Sequence, residues 1–452
     1  GIGYEVKGPY YTGSQVKSLD DDKNVWVHSL KYPFMGKIFE IFQNNMHIFA
    51  RPTDIFFLPE IKSIYDYLSN HTLQDMLLDP GLETRMGIWV FLIKVRDLWN
   101  SLTMYIPPIE FQACLDSLYS YRHGEIDYDS LVGLWGTRWG VDVDNILQRW
   151  VMARHDQCFR IKDDILYYDT VAKRMKVMGN IMNIGKTGGM VFIEHKPLPD
   201  QKVVERFSCY LEPGETRAFT LVSGSVISMN TGLSANRPCV RYFSRYVKKE
   251  GEDFGEFGGE WRSISVEEFL AGENKNEFVV DDQDAGFELV DGNLTLFQKW
   301  FRKEPPLRGF QKGETSRWVQ VITDKAYGDL IQGCYCISGG DGKSTATWRV
   351  NLSEAGRYRV MAKVYKQFLV PGFGYPEGVI YHYTIFHGDK KEEVAVALDE
   401  ILPGRYESSG WVSLGEYDFP AGEAKVVLSD KDPRRRKDVA IVADAVKWIK
   451  IE

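Results

Sequence analysis

The most constraining feature of this chain is a strict two-residue alternation near its C-terminus. Across Arg357 to Val364, Tyr358, Val360, Ala362 and Val364 project to one side while Arg357, Arg359 and Lys363 project to the other, because successive side chains of an extended chain leave opposite faces. Such a strand has one dry and one wet face and needs antiparallel partners. Thr345 to Leu352, Val379 to Phe386, Val394 to Leu398, Trp411 to Phe419, Ala424 to Leu428 and Val439 to Ile451 supply them. Strands in that number predict a β-sandwich or jelly roll over 327–452.

A different period governs the first third. From Val25 to about Arg154 apolar residues recur three and four apart, with Pro or Gly at the breaks, which predicts a mainly helical domain over 1–157. Phe111, Cys114, Leu115, Leu118 and Tyr119 share one stripe that Gly124 would close. Asp127 or Asp129 is expected to cap the next helix, carrying Leu131, Leu134 and Trp135, and Asp144 the one that buries Ile146, Leu147, Trp150 and Val151. Beyond Arg154 the period returns to two. Ile165 to Asp169, Met175 to Asn183, Met190 to His195, Val203 to Leu211, Ala218 to Val222 and Val226 to Asn230 predict a small β-sandwich over 158–247. The Gly-, Glu- and Asp-rich stretch 248–326 is expected as a partly ordered connection with hidden strands, its Phe287, Phe297, Trp300 and Phe301 docked on a neighbouring domain.

Composition narrows the function classes. A chain of 452 residues exceeds one core, and 63 acidic against 55 basic residues repel a phosphate backbone, so nucleic acid is not an expected partner. The run Arg434 to Lys437 is bracketed by Asp430, Asp432 and Asp438 and reads first as a solvated loop, with an anionic ligand such as acidic polysaccharide as the alternative. Six cysteines in this length do not make a disulfide framework. The most apolar stretch, Met86 to Val95, contains Lys94 and is too short to span a bilayer. The chain opens at Gly1 without an initiator Met or visible signal peptide, which suggests a processed protein or a fragment of a longer one.

No complete catalytic motif stands in the chain. His-Glu-x-x-His and Gly-x-Ser-x-Gly are absent, and the eight histidines form no i, i+4 pair. Gly185-Lys186-Thr187 and Gly342-Lys343-Ser344 resemble the end of a phosphate loop, but Asn180 and Ile337 occupy the required glycine positions. No cofactor is predicted. Asp281, Asp282 and Asp284 form the one calcium candidate, without the rest of an EF-hand loop. Asp444 alternates with Val442, Val446 and Trp448 and is expected beneath the surface, bonded to backbone amides. The remaining signal is aromatic: Tyr365, Phe368, Phe373, Tyr375 and Tyr406, with Arg405 beside the last, flank loops of the final module, where flat rings suit the apolar faces of sugars.

Two resemblances complete the reading. Ala346-Thr347-Trp348-Arg349-Val350, Ala355-Gly356-Arg357-Tyr358-Arg359-Val360, Trp411-Val412-Ser413-Leu414-Gly415, Phe419-Pro420-Ala421-Gly422 and Ala443-Asp444-Ala445-Val446 make the last module similar to the golvesin C-terminal-like domain, also found attached to xanthan lyases. That resemblance implies a galactose-binding-like β-sandwich serving as a noncatalytic, carbohydrate-binding accessory module, though Gln367 to Gly378 departs from the usual loop. Met86-Gly87-Ile88-Trp89-Val90-Phe91, Phe111 to Leu118, Asp127 to Leu131, Gly140-Val141-Asp142-Val143 and Trp150 follow an order that resembles the end of gluzincin aminopeptidases, after their zinc site. The expected whole is a multidomain α + β chain: a helical domain, a central β-sandwich and a galactose-binding-like β-sandwich. Its expected role is that of a noncatalytic extracytoplasmic region whose partner is carbohydrate or a cell-surface polymer. The alternatives are the tail of a zinc metallopeptidase whose catalytic domain lies upstream, and a structural ectodomain of a membrane assembly.

Overall fold

A computed structural model describes residues 26–28, 34–35, 38, 61–82, 84–107, 110–111, 113–114, 117, 125–154, 157–198, 204–231, 240–241, 245–273, 276–292, 317–322, 325–365, 378–401, 409–434, 436 and 439–451.

The first region is helical, as its period requires. Strand β1 (Trp26–His28) pairs in parallel with β2 (Glu125–Asp127), and the helices are α1 (Ile61–Asn70), α2 (Leu73–Leu78), α3 (Thr84–Tyr105), α4 (Tyr128–Trp139) and α5 (Val143–Met152). Asp127 caps α4 by accepting from the Ser130 amide at 2.9 Å. The cap of α5 is Asp142, which accepts from the Asn145 amide at 3.0 Å. The expected Asp144 lies inside the first turn instead and accepts from the Tyr128 hydroxyl at 3.1 Å. Trp99, Phe111 and Trp135 meet with ring centroids 4.9 and 5.1 Å apart and centre the core, while Leu134 is exposed because it lies off the buried stripe. Lys94, in the apolar stretch of α3, is fully buried. Its ammonium donates to the Trp150 and Ala153 carbonyls at 2.9 and 2.8 Å, satisfying the open end of α5.

Nine strands follow: β3 (Phe159–Asp169), β4 (Arg174–Asn183), β5 (Gly189–Lys196), β6 (Glu205–Leu211), β7 (Thr216–Ser223), β8 (Ser225–Asn230), β9 (Val240–Arg241), β10 (Arg245–Lys249) and β11 (Gly258–Ser263). They form one sheet in the order β10-β3-β4-β7-β11 and another in the order β6-β5-β8-β9, with Phe159, Val177, Ile181, Val191, Ile193 and Phe219 in the core. Residues 185–187 are a turn pinned by buried Asn183, whose side chain donates to the Thr187 and Leu211 carbonyls and accepts from the Gly185 amide. The pseudo-phosphate loop thus ends in a strand.

The last region starts well before 327. After helix α6 (Val266–Leu270) come β12 (Glu277–Val280), β13 (Phe287–Val290), β14 (Val319–Ile322), β15 (Gly333–Ser338), β16 (Thr345–Leu352), β17 (Gly356–Tyr365), β18 (Ile380–His387), β19 (Lys390–Ala397), helix α7 (Leu398–Ile401), β20 (Ser409–Phe419), β21 (Gly422–Ser429), β22 (Ala440–Ala443) and β23 (Val446–Lys450). One sheet runs β12-β23-β17-β20, the facing one β13-β16-β21-β18-β19, and β14-β15-β22 forms a third. Trp348, Tyr358, Tyr383, Ile385, Leu428 and Trp448 fill the core between them.

The segment expected as a connection therefore supplies structure on both sides: β11 extends the central sheet, and β12 and β13 close edges of the last sandwich. Phe287 packs inside that sandwich, 5.7 Å from Tyr335 and 5.5 Å from Trp348, instead of docking elsewhere. Phe297, Trp300 and Phe301 lie outside the described residues. The single strand expected from Val439 to Ile451 is broken into β22 and β23 at Asp444 and Ala445. Among the described residues no helix is long and apolar enough to cross a membrane.

Burial lowers the Lys94 pKa from 10.5 to about 7, so between those values the unfolded chain binds the extra proton and stability rises with pH. Lys94→Met removes this dependence. The melting temperature of the wild type relative to that variant is expected to climb from pH 7 to pH 10; parallel curves would refute the assignment.

Candidate functional site

The outward face of the sheet β12-β23-β17-β20 gathers aromatic and cationic side chains, and a bulge decides which ones. Along β17 and β20 the register shifts between Val360, opposite Gly415, and Met361, opposite Ser413, leaving Leu414 as the extra residue. Gly415 adopts φ +130°, and a Cβ there would fall 2.5 Å from the Tyr417 hydroxyl, which itself donates to the Leu414 carbonyl at 2.7 Å. The inward set changes from Val412 and Leu414 to Tyr417 and Phe419. A strand without the bulge could not bury both pairs. Trp411 consequently faces outward, opposite Lys363 of β17. Lys447 of β23 holds its ammonium 4.5 Å from the centre of the Trp411 ring and pairs with Glu277 at 3.1 Å.

A loop between β14 and β15 completes the corner. Tyr327, 37% exposed, meets Trp411 edge to face with ring centroids 5.6 Å apart. Three anchors hold it there. Its amide donates to the Asp444 carboxylate at 3.1 Å. Two residues on, Asp329 accepts the Arg160 Nε at 3.1 Å, a contact that keeps the guanidinium firmly charged and ties the loop to β3. Ile331 is buried in the helical core. Gly328 makes the turn between them at φ +120°, where a Cβ would strike the Ile331 carbonyl at 2.5 Å.

Beneath the corner lie carboxylates. Asp444 is almost fully buried, as its alternation predicts, and its backbone carbonyl accepts the Trp348 indole N–H at 2.8 Å. Asp281 is 6% exposed, and its Oδ1 has no hydrogen-bond partner among the described residues. Burial, and then the charges of Asp282 and Asp444, push its carboxyl up to about 9, so it is protonated at neutral pH. Burial followed by Asp329 and Asp281 pushes the Tyr327 phenol up to about 12, which keeps it a hydrogen-bond donor. Two of the three aspartates of the calcium candidate accept hydrogen bonds from neighbouring residues. Asp284 Oδ2 accepts the Asp281 amide at 2.8 Å, and Asp282 Oδ1 accepts the Gln283 side chain at 2.9 Å.

Of the aromatic positions singled out from sequence, Tyr365 ends β17 opposite Ser409. Phe368, Phe373, Tyr375, Arg405 and Tyr406 lie outside the described residues. Sequence reasoning missed Tyr327, Trp411 and Lys447 as a group. Alternation alone puts Lys363 on the wet face, but only Gly415, read as a bulge residue, could have placed Trp411 beside it.

Residues 311–450 match the family model of the Golvesin C-terminal domain. No curated protein matches the chain. Among solved structures, a Paenibacillus xanthan lyase aligns at 14% identity over 64% of this chain with a TM-score of 0.26, and the chain spans only 25% of that enzyme's length. The CBM35 of Cellvibrio japonicus Abf62 aligns at 13% identity over 38% of this chain and 92% of its own, with a TM-score of 0.23. A Podospora anserina GH26-CBM35 β-(1,4)-mannanase aligns at 10% identity over 32% of this chain and 27% of its own, with a TM-score of 0.20. Scores this low carry no function across.

Because the folded Asp281 keeps its proton far above the ordinary value of 3.8, its contribution to stability is complete in acid and is lost as pH rises toward 9. Asp281→Asn, which cannot ionise, is expected to gain melting temperature relative to wild type between pH 5 and pH 9. An unchanged difference across that range would show that Asp281 is already ionised in the fold.

Proposed function

We propose that the C-terminal sandwich binds carbohydrate on the outward face of its β12-β23-β17-β20 sheet, and that the chain serves as a noncatalytic extracytoplasmic scaffold presenting it. The observation that carries this reading is the Tyr327–Trp411 corner: two rings at 73° to one another, with the Tyr327 loop held by Asp444, Arg160 and the buried Ile331. Sugar rings offer apolar C–H faces that stack on such rings, and hydroxyls that pair with the surrounding donors. The Tyr327 phenol and the Lys447 and Lys363 ammonium groups supply donors, and Glu277 supplies an acceptor. The resemblance to golvesin-like accessory modules points the same way. The extracytoplasmic part of the proposal rests on that resemblance alone.

A second reading, the tail of a zinc peptidase, draws support from the passage of the Trp-bearing helix α5 into β3. His-Glu-x-x-His upstream of Gly1 in the parent reading frame would favour it.

On a glycan array, Trp411→Ala and Tyr327→Ala are each expected to weaken retention by roughly tenfold, the order of a lost central aromatic contact, while leaving the melting temperature within a few degrees. If Tyr375→Ala and Tyr406→Ala abolish retention and Trp411→Ala does not, the site lies on the loops instead.

A further inference from the structure

One charge on this face has no ion-pair partner among the described residues. The four strands carry five cationic side chains, and four of them have carboxylate partners. Arg357 and Arg359 share Glu416 at 3.6 and 2.7 Å, Lys447 holds Glu277 at 3.1 Å, and Lys450 holds Glu354. Lys363 has neither an ion pair nor a side-chain hydrogen bond among the described residues. Its backbone amide donates to the Ala445 carbonyl at 2.9 Å, and its side chain stands half-buried in register with Trp411.

The nearby acids do not fill the gap. Asp444 attracts Lys363 through space but lies under the sheet, where it receives the Tyr327 amide. Glu277 belongs to Lys447, Asp329 belongs to Arg160, and Asp281 is neutral at physiological pH. Burial and the charge of Lys447 both disfavour the Lys363 ammonium, and burial lowers its pKa. A half-buried cation without a counter-ion is costly on its own and gains most from an incoming anion.

We propose that Lys363 makes the Tyr327–Trp411 face selective for anionic glycans, with a sugar ring on the aromatic corner and its carboxylate or sulfate on the Lys363 ammonium. This rests on the carbohydrate reading above and assigns the class of sugar. A neutral glycan would leave Lys363 unpaired and partly desolvated in the complex. An acidic one turns that penalty into a charge-assisted hydrogen bond.

The test uses the whole chain on an array of neutral, uronate-bearing and sulfated glycans, with two matched polymer pairs titrated alongside: polygalacturonate against its methyl ester, and dextran sulfate against dextran. The retained glycans are expected to be acidic, and within the pair that carries the right group the charged form should bind about tenfold more tightly. The responding pair tells a carboxylate ligand from a sulfate one. Lys363→Met should erase that gap without lowering the melting temperature, and Lys363→Arg should keep it. Neutral glycans held as tightly as acidic ones, or a gap that survives Lys363→Met, would overturn the assignment of Lys363 and leave the carbohydrate reading standing. Retention of no glycan at all would overturn both.

Discussion

The buried carboxylate of Asp444 organises the last sandwich. It sits where one extended segment becomes two, β22 in the third sheet and β23 in the sheet that carries the aromatic corner. A polar group removed from water is costly unless hydrogen bonds replace its hydration. The Asp444 carboxyl accepts the Tyr327 amide, and its backbone carbonyl accepts the Trp348 indole. The first contact fixes the exposed ring and the second locks the core beneath. Replacing the Asp444 side chain would release the Tyr327 amide, while the backbone carbonyl would still hold Trp348.

Ionisable groups are buried for different reasons in different regions. In the helical domain, Lys94 is enclosed because a helix end needs donors, and the two carbonyls it serves lie at the close of α5. Beneath the aromatic corner, Asp281 is enclosed beside other acids and holds its proton. Lys363 is only half enclosed, on the outward face of its sheet. The same desolvation physics is structural in the first case and points outward in the last.

Much of this architecture is legible in the sequence. The alternation from Arg357 to Val364 appears as β17 with the expected faces, and the helical stripe of Ile146, Leu147, Trp150 and Val151 is buried as read. What escaped depends on local chemistry that periodicity does not encode. Asp142 rather than Asp144 caps α5 because the cap is set by where the backbone leaves the helix, and both positions carry the same residue type. Strand β13 was hidden because four residues are too few for a period to show, and its register comes from β16 far along the chain. The aromatic corner joins residues from β17, β20, β23 and the loop at 327, so it exists only once the sheets close.

The family match begins at residue 311, yet two strands of the same sandwich precede it. β12 lies at the edge of one sheet beside β23, and β13 at the edge of the other beside β16. A cassette cut at the start of the match would leave the backbone amides and carbonyls of β23 and β16 uncovered on both flanks, open to any passing strand. A sandwich cut from this chain with both edges covered therefore includes β12 and β13.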